Sequence, residues 1–151
     1  MFRSKSKVSD VGSVEDQMRA TIYGNCIGDA IGLLSEFMSK KQANETYAKK
    51  RGKMEYKHMQ DDMHRNRWKN GDWTDDSDQM ILIMDSIVDC KGAVDPVDYA
   101  KKVLFWVDNG FPELGDSGGM GLGRTTHRVV RQERFTTDPH AASEGIWERS
   151  N

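Results

Sequence analysis

The sequence predicts an all-α protein, because apolar residues recur at three- to five-residue steps in several stretches, caps and prolines open those stretches, and no run alternates apolar with polar long enough to make a strand. At 151 residues the chain has the length of one domain, so a second independent core is not expected. Hydrophobic residues make up 36% and charged residues 30%, and the mean hydropathy is -0.75, which is polar for a compact domain but far from a disordered composition.

Residues 1 to about 12 read as a polar tail: Met1-Phe2-Arg3-Ser4-Lys5-Ser6-Lys7 is basic, but no apolar stretch comes after it to make a secretory signal or an anchor. Residues 13–151 then form part of a single domain. From Val14 to Met38 the apolar positions Met18, Ile22, Ile27, Ile31, Leu34 and Met38 predict the first helix. Its glycines Gly24, Gly28 and Gly32 fall four apart on one face, which would let another backbone approach closely. Asn25, Asp29 and Glu36 interrupt any apolar run long enough to span a membrane.

Between Lys40 and Lys69 ten basic side chains face four acidic ones. Only Tyr47, Tyr56 and Trp68 are interleaved with that charge, too few for a nucleic-acid surface, so the segment reads as a solvated loop or helix face with His58 and His64 at the surface. A second helix begins near Asp76 and ends at Gly92. A third runs from about Pro96 to Val107, a glycine-rich loop spans Gly110 to Gly123, and a fourth helix runs from Thr125 to about Arg134. Asp138-Pro139 opens the last helix with a cap and a first-turn proline.

The net charge of -2 supplies no overall attraction to nucleic acid or to an anionic membrane, so neither is expected as a partner. Cys26 and Cys90 lie too far apart in sequence for a metal knuckle or a redox pair, which fits a reducing, cytoplasmic compartment.

Three constellations could carry chemistry. Asp72, Asp75, Asp76 and Asp78 crowd the mouth of the second helix. An acidic cap, with Asp76 as cap and Gln79 completing a box, accounts for one or two of them. The rest repel one another unless a cation lies among them, and oxygen-only donors favour Mg²⁺, Mn²⁺ or Ca²⁺ over zinc. An EF-hand loop is excluded, since it would need glycine at position 77 and glutamate at 83, where Ser77 and Ile83 stand. The glycine loop places six glycines in fourteen residues, freeing backbone N–H groups to face a phosphate, with the positive end of the next helix behind them. It is neither a P-loop, for want of a preceding buried strand, nor a dinucleotide fingerprint, since Arg124 stands where the third glycine belongs. A phosphate cradle of another kind and a merely flexible loop are both open on these residues alone. Thirdly, Asp29, Gly32 and Glu36 fall on one helical face; acids in such helices more often satisfy a neighbouring backbone or cation than perform catalysis.

In this order and at these separations, the segments resemble the ADP-ribosylglycohydrolase family. Gly28-Asp29-Ala30-x-Gly32-x-x-x-Glu36 is similar to the family's first helix motif, Thr74-Asp75-Asp76 to its first metal motif, and Gly115 to Gly123 to its ADP-ribose loop. Asp138-Pro139-His140-Ala141-Ala142 and Trp147-Glu148 resemble the segment after that loop in bacterial-type members, so the likeness runs from about residue 14 to 151. The resemblance implies an orthogonal helical array that hydrolyses the glycosidic bond between ADP-ribose and its acceptor, with ADP-ribose or an ADP-ribosylated protein as partner. It implies Mg²⁺, two ions in the complete family site, with Mn²⁺ as a substitute. Thr74, Asp75 and Asp76 would be metal ligands, and Glu36 and Asp76 catalytic residues. Asp116, Ser117, Gly118, Gly119, Met120, Gly121 and Gly123 would hold the substrate. In the family, the counterpart of Ser150-Asn151 leads to a later Asp-x-Asp-Ser/Thr motif that completes the metal site. The sequence stops at Asn151, so the expectation is an N-terminal, truncated part of the domain, inactive alone, that self-associates or is complemented by a C-terminal chain. The other readings are a non-catalytic ADP-ribose-binding remnant and a helical interaction module.

Overall fold

The computed structural model describes residues 12–50 and 54–149. The polar tail up to residue 11, Arg51-Gly52-Lys53 of the basic segment, and Ser150-Asn151 lie outside the described residues. Six α-helices and no strand occur among the described residues, in two compact units, Met1–Asp72 and Trp73–Asn151.

In the first unit, α1 (Val14–Gly32) opens on a capping box: the Ser13 hydroxyl accepts from Asp16 N, and the Asp16 carboxylate accepts from Ser13 N at 3.0 Å. The periodicity predicts a helix as far as Met38, but α1 stops at Gly32 and the chain turns over residues 33–37, with Phe37 in the left-handed region at φ 58°. The physical reason is Arg65. Its Nε donates to Leu33 O at 2.9 Å and Leu34 O at 3.2 Å, and its Nη2 donates to Glu36 O, so one guanidinium satisfies carbonyls that a continuing helix would have used. Glu36 therefore lies beyond the helix and does not share a helical face with Asp29 and Gly32, contrary to the motif spacing. The glycine stripe also behaves differently from expectation, since a Cβ at Gly24, Gly28 or Gly32 would meet nothing within 4 Å among the described residues.

After α1, α2 (Lys40–Tyr47) begins on a second capping box, Ser39 with Gln42, and its Tyr47 hydroxyl donates to Leu34 O at 2.5 Å. The basic segment is not uniformly solvated. Arg65 is only 3% exposed and ion-paired with Asp62 at 2.5 Å, Trp68 is buried, and His64, expected at the surface, is half-buried.

In the second unit, α3 (Asp75–Asp89) is capped by the extended backbone of Thr74, earlier in the chain than the Asp76 cap expected. No Asp76–Gln79 box forms; Gln79 Nε2 donates instead to Asp75 O at 3.2 Å and Asp75 Oδ2 at 3.1 Å. The helix ends where Gly92 N returns to Ile87 O at 2.7 Å, with Lys91 and Gly92 both at positive φ. Asp95 caps α4 (Pro96–Asn109), accepting from Val97 N and Asp98 N, and Gly110 at φ 66° ends it. α5 (Arg124–Val130) is short, and α6 (Pro139–Glu148) opens on Asp138, which accepts from Ala141 N at 3.0 Å. Leu82, Ala100, Val103, Trp106, Phe111, Val130, Phe135 and Ala142 form the core of this unit. Each large apolar side chain in it contributes roughly 1.5–3 kcal/mol by leaving water. No helix among the described residues is long and apolar enough to cross a membrane.

Candidate functional site

The acidic helix start sorts its residues by environment. Thr74 and Ser77 are buried, Asp75 and Asp78 half-buried, and Asp76 exposed. The Thr74 hydroxyl is not the group that closes the first turn of α3, and the Asp75 carboxylate is oriented by the Gln79 amide one turn on. Asp78 lies between two indoles: Trp73 Nε1 donates to its Oδ1 at 2.7 Å and Trp106 Nε1 to its Oδ2 at 3.1 Å. Burial pushes its pKa up to about 6; the two indole N–H groups oppose that rise, and the carboxylates of Asp116 and Asp75 add to it. Asp75, Asp78 and Asp116 thus share one electrostatic neighbourhood.

The glycine loop is laid onto this acidic group by backbone contacts that no side chain would permit. Gly119 N donates to Trp106 O at 2.9 Å, and a Cβ on Gly119 would come within 2.6 Å of the Trp106 ring. Two residues on, a Cβ on Gly121 would fall 2.6 Å from Asp75 Oδ1, at a backbone φ of +91° that L side chains rarely adopt. The loop's entrance is tied by Asp116, whose Oδ2 accepts from Phe111 N at 3.1 Å while its Cβ packs against the bare α-carbon of Gly110. Trp106 therefore holds Asp78 with its indole N–H and supports the loop with its ring face.

Of the sequence-predicted substrate residues, the structure brings Gly121 to Asp75, Gly119 to the Trp106 ring, and Asp116 into the field of Asp78. Gly118 packs instead toward the last carbonyls of α4, with a Cβ there 3.6 Å from Val107 O. Ser117, Met120 and Gly123 are exposed or nearly so. The helix after the loop has only seven residues, so its dipole adds little for an anion, and within the loop the N–H groups of Asp116 and Gly119 are already bonded to Phe111 O and Trp106 O. Glu36, in the first unit, engages His64 through its carboxylate: His64 Nε2 lies 2.7 Å from Glu36 Oε2.

The donor chemistry fits a magnesium ion in kind. Thr74, Asp75 and Asp76 offer only oxygen, and Mg²⁺ is usually bound through one or two carboxylates while keeping several waters. The Gly121 backbone packs closely against Asp75 Oδ1, so the loop borders these donors directly. Among the described residues no three acidic, histidine or cysteine side chains converge as a preformed cage.

Sequence reasoning did not assign Asp78 or Trp106 a role. The available signal was the three-residue step from Asp75 to Asp78, which places both on one face of α3, with tryptophan two residues before Asp75.

Comparison with known proteins bears on the same segments. The chain is 28% identical over 136 residues to an ADP-ribosyl-[dinitrogen reductase] glycohydrolase of Rhodospirillum rubrum, covering 85% of this chain and 40% of that protein. It is 28% identical over 93 residues to an uncharacterized protein of Archaeoglobus fulgidus, covering 62% of this chain and 28% of that protein. The chain thus spans well under half the length of the curated relatives it matches. No solved structure matches it significantly. The ADP-ribosylglycohydrolase family matches from residue 10 to 150, through the Asp29–Glu36 segment, the acidic start of α3 and the glycine loop, and the chain belongs to that family.

Proposed function

We propose that the chain serves Mg²⁺-dependent hydrolysis of the bond between ADP-ribose and its acceptor, contributing the loop that holds the pyrophosphate and one set of metal donors. The observation that carries this reading is the contact of Gly121 with Asp75, which lays the glycine loop against the oxygen donors suited to a hard dication. Thr74, Asp75 and Asp76 would hold Mg²⁺, which when bound supplies positive charge to orient ribose hydroxyls and water.

The remaining work falls to the chain's own groups. Loop amides between Ser117 and Gly123 receive the pyrophosphate, apart from that of Gly119, which anchors the loop to Trp106 O, and Gln79 keeps the Asp75 carboxylate turned toward the loop. On its resemblance to the family's first helix motif, Glu36 is the carboxylate that takes a proton from the water whose oxygen bonds to C1 of the ribose. It returns a proton to the acceptor, which leaves with the electron pair of the broken C1 bond. The name of the Rhodospirillum rubrum relative, an ADP-ribosyl-[dinitrogen reductase] glycohydrolase, supports an ADP-ribosylated protein as substrate.

The experiment is incubation of the purified chain with ADP-ribosylated arginine and serine peptides and Mg²⁺, alongside calorimetric titration with ADP-ribose. Binding that requires Mg²⁺ and is lost in Asp75→Ala supports the cradle; release of ADP-ribose adds catalysis by this chain alone. Binding without release would make it an ADP-ribose-binding module. No binding with or without the metal would refute the reading.

A further inference from the structure

The first unit holds a chain of polar contacts that the proposed chemistry does not yet use. Arg67 donates from Nε to the backbone carbonyl of His64 at 3.1 Å, and its Nη2 lies 2.8 Å from Nδ1 of the same residue's ring. The guanidinium is held over the Trp68 ring, 4.6 Å from its centroid. On its far side, the His64 ring presents Nε2 to Glu36 Oε2 at 2.7 Å. Phe37 and Trp68 pack edge-on to the imidazole, at centroid distances of 4.9 and 5.1 Å.

The chemistry of the donors fixes the order of protons along this chain. A guanidinium has only N–H groups to offer, so Nδ1 must accept. The ring proton then lies on Nε2, and the acceptor facing it is the Glu36 carboxylate. The guanidinium, anchored on the His64 carbonyl and stacked on Trp68, holds the ring through its single bond to Nδ1 and so favours this orientation and tautomer. One oxygen of Glu36 is thereby held, and Oε1 has no hydrogen bond among the described residues.

We propose that His64, its tautomer set by Arg67, is the positioning residue for Glu36: it clamps Oε2 and leaves Oε1 as the oxygen that meets water. This rests on the reading of Glu36 as the water-activating carboxylate. The aromatic neighbours support it, because the buried Trp68 and the exposed Phe37 both pack edge-on to the imidazole and restrict its rotation. Phe37 does so from a left-handed backbone conformation that is strained for an aromatic residue.

The test uses the full chain labelled with ¹⁵N in histidine and ¹³C in glutamate side chains. Long-range nitrogen–proton correlation should show His64 protonated at Nε2 and not at Nδ1, with Glu36 in one side-chain rotamer. Arg67→Met, a change at an exposed residue, should turn His64 into a mixture of tautomers. His64→Phe should release Glu36 into rotamer averaging, and His64→Gln, whose amide can still donate, should restore a single rotamer. A proton on Nδ1, an unchanged tautomer in Arg67→Met, or an equally fixed Glu36 in His64→Phe would overturn the proposal. Glu36→Gln that leaves magnesium-dependent turnover undiminished would instead overturn the reading of Glu36, whatever the histidine resonances show.

Discussion

Gly121 and Asp75 meet so closely that a single methyl group on the glycine would lie 2.6 Å from the carboxylate oxygen Oδ1 and 3.4 Å from the backbone nitrogen of Asp75. Glycine is required here twice over, for the positive φ and for the space. The loop and the acidic helix start are in consequence one structural object, and a change in either is felt by the other.

Gly121→Ala should therefore lower stability by about 1–3 kcal/mol, from overpacking together with a left-handed backbone that alanine resists. Because the nearest atom is the end of a side chain, the relief comes from rotating the Asp75 carboxylate away. ADP-ribose affinity should consequently fall at least tenfold in calorimetry, even at temperatures where the variant is fully folded. An alanine variant that binds as the wild type does would show that the contact has no role in the ligand site.

Arg65 replaces the missing end of a helix. It is 3% exposed, and its guanidinium satisfies the carbonyls of Leu33, Leu34 and Glu36 while pairing with Asp62. Arg65→Met should destabilise the first unit by roughly 1–3 kcal/mol, the penalty for leaving buried carbonyls without a donor, since the Asp62 carboxylate left behind is partly solvated. Chemical denaturation measures this, and a loss under about 1 kcal/mol would mean that water replaces the arginine without penalty.

Asp62 gives that unit an acid-sensitive joint. The backbone N–H of Arg65 holds its pKa below the ordinary value, helped by the Arg65 side chain and the His64 N–H against the opposing effect of burial. A carboxyl with a depressed folded pKa contributes stability that is present above its unfolded pKa, near about 4, and is lost as pH falls through the folded value. Thermal melts should drop on acidification below about pH 4, and Asp62→Asn should be less stable at neutral pH and flatter in that acid range. An unchanged acid slope in Asp62→Asn would remove Asp62 as its cause.

Much of this architecture is written in local residues. Asp95-Pro96 and Gly110 bound α4, Asp138-Pro139 opens α6, and Ser13 with Asp16 opens α1, because a cap needs only partners within a turn. The end of α1 was not legible for the opposite reason, since the group that terminates it, Arg65, is 32 residues away from Leu33. The same distinction runs through the site. Acid crowding and glycine density announce Thr74-Asp75-Asp76 and the loop, whereas the special environment of Asp78 depends on Trp106, 28 residues further on. His64 is one more polar residue in a basic stretch until the fold sets it beside Glu36, Phe37 and Trp68.

If the start of α3 and the glycine loop together bind ADP-ribose in the presence of Mg²⁺, their backbone amides must respond to the ligand as one group. Amide chemical-shift mapping on the chain, with ADP-ribose added in the presence and absence of Mg²⁺, tests this most directly. Gly119, Gly121 and the amides of Asp75 and Asp76 should shift together, the shifts should require the metal, and Asp75→Ala should remove them. Shifts confined to other residues, or the same response without Mg²⁺ and in Asp75→Ala, would contradict the proposed site.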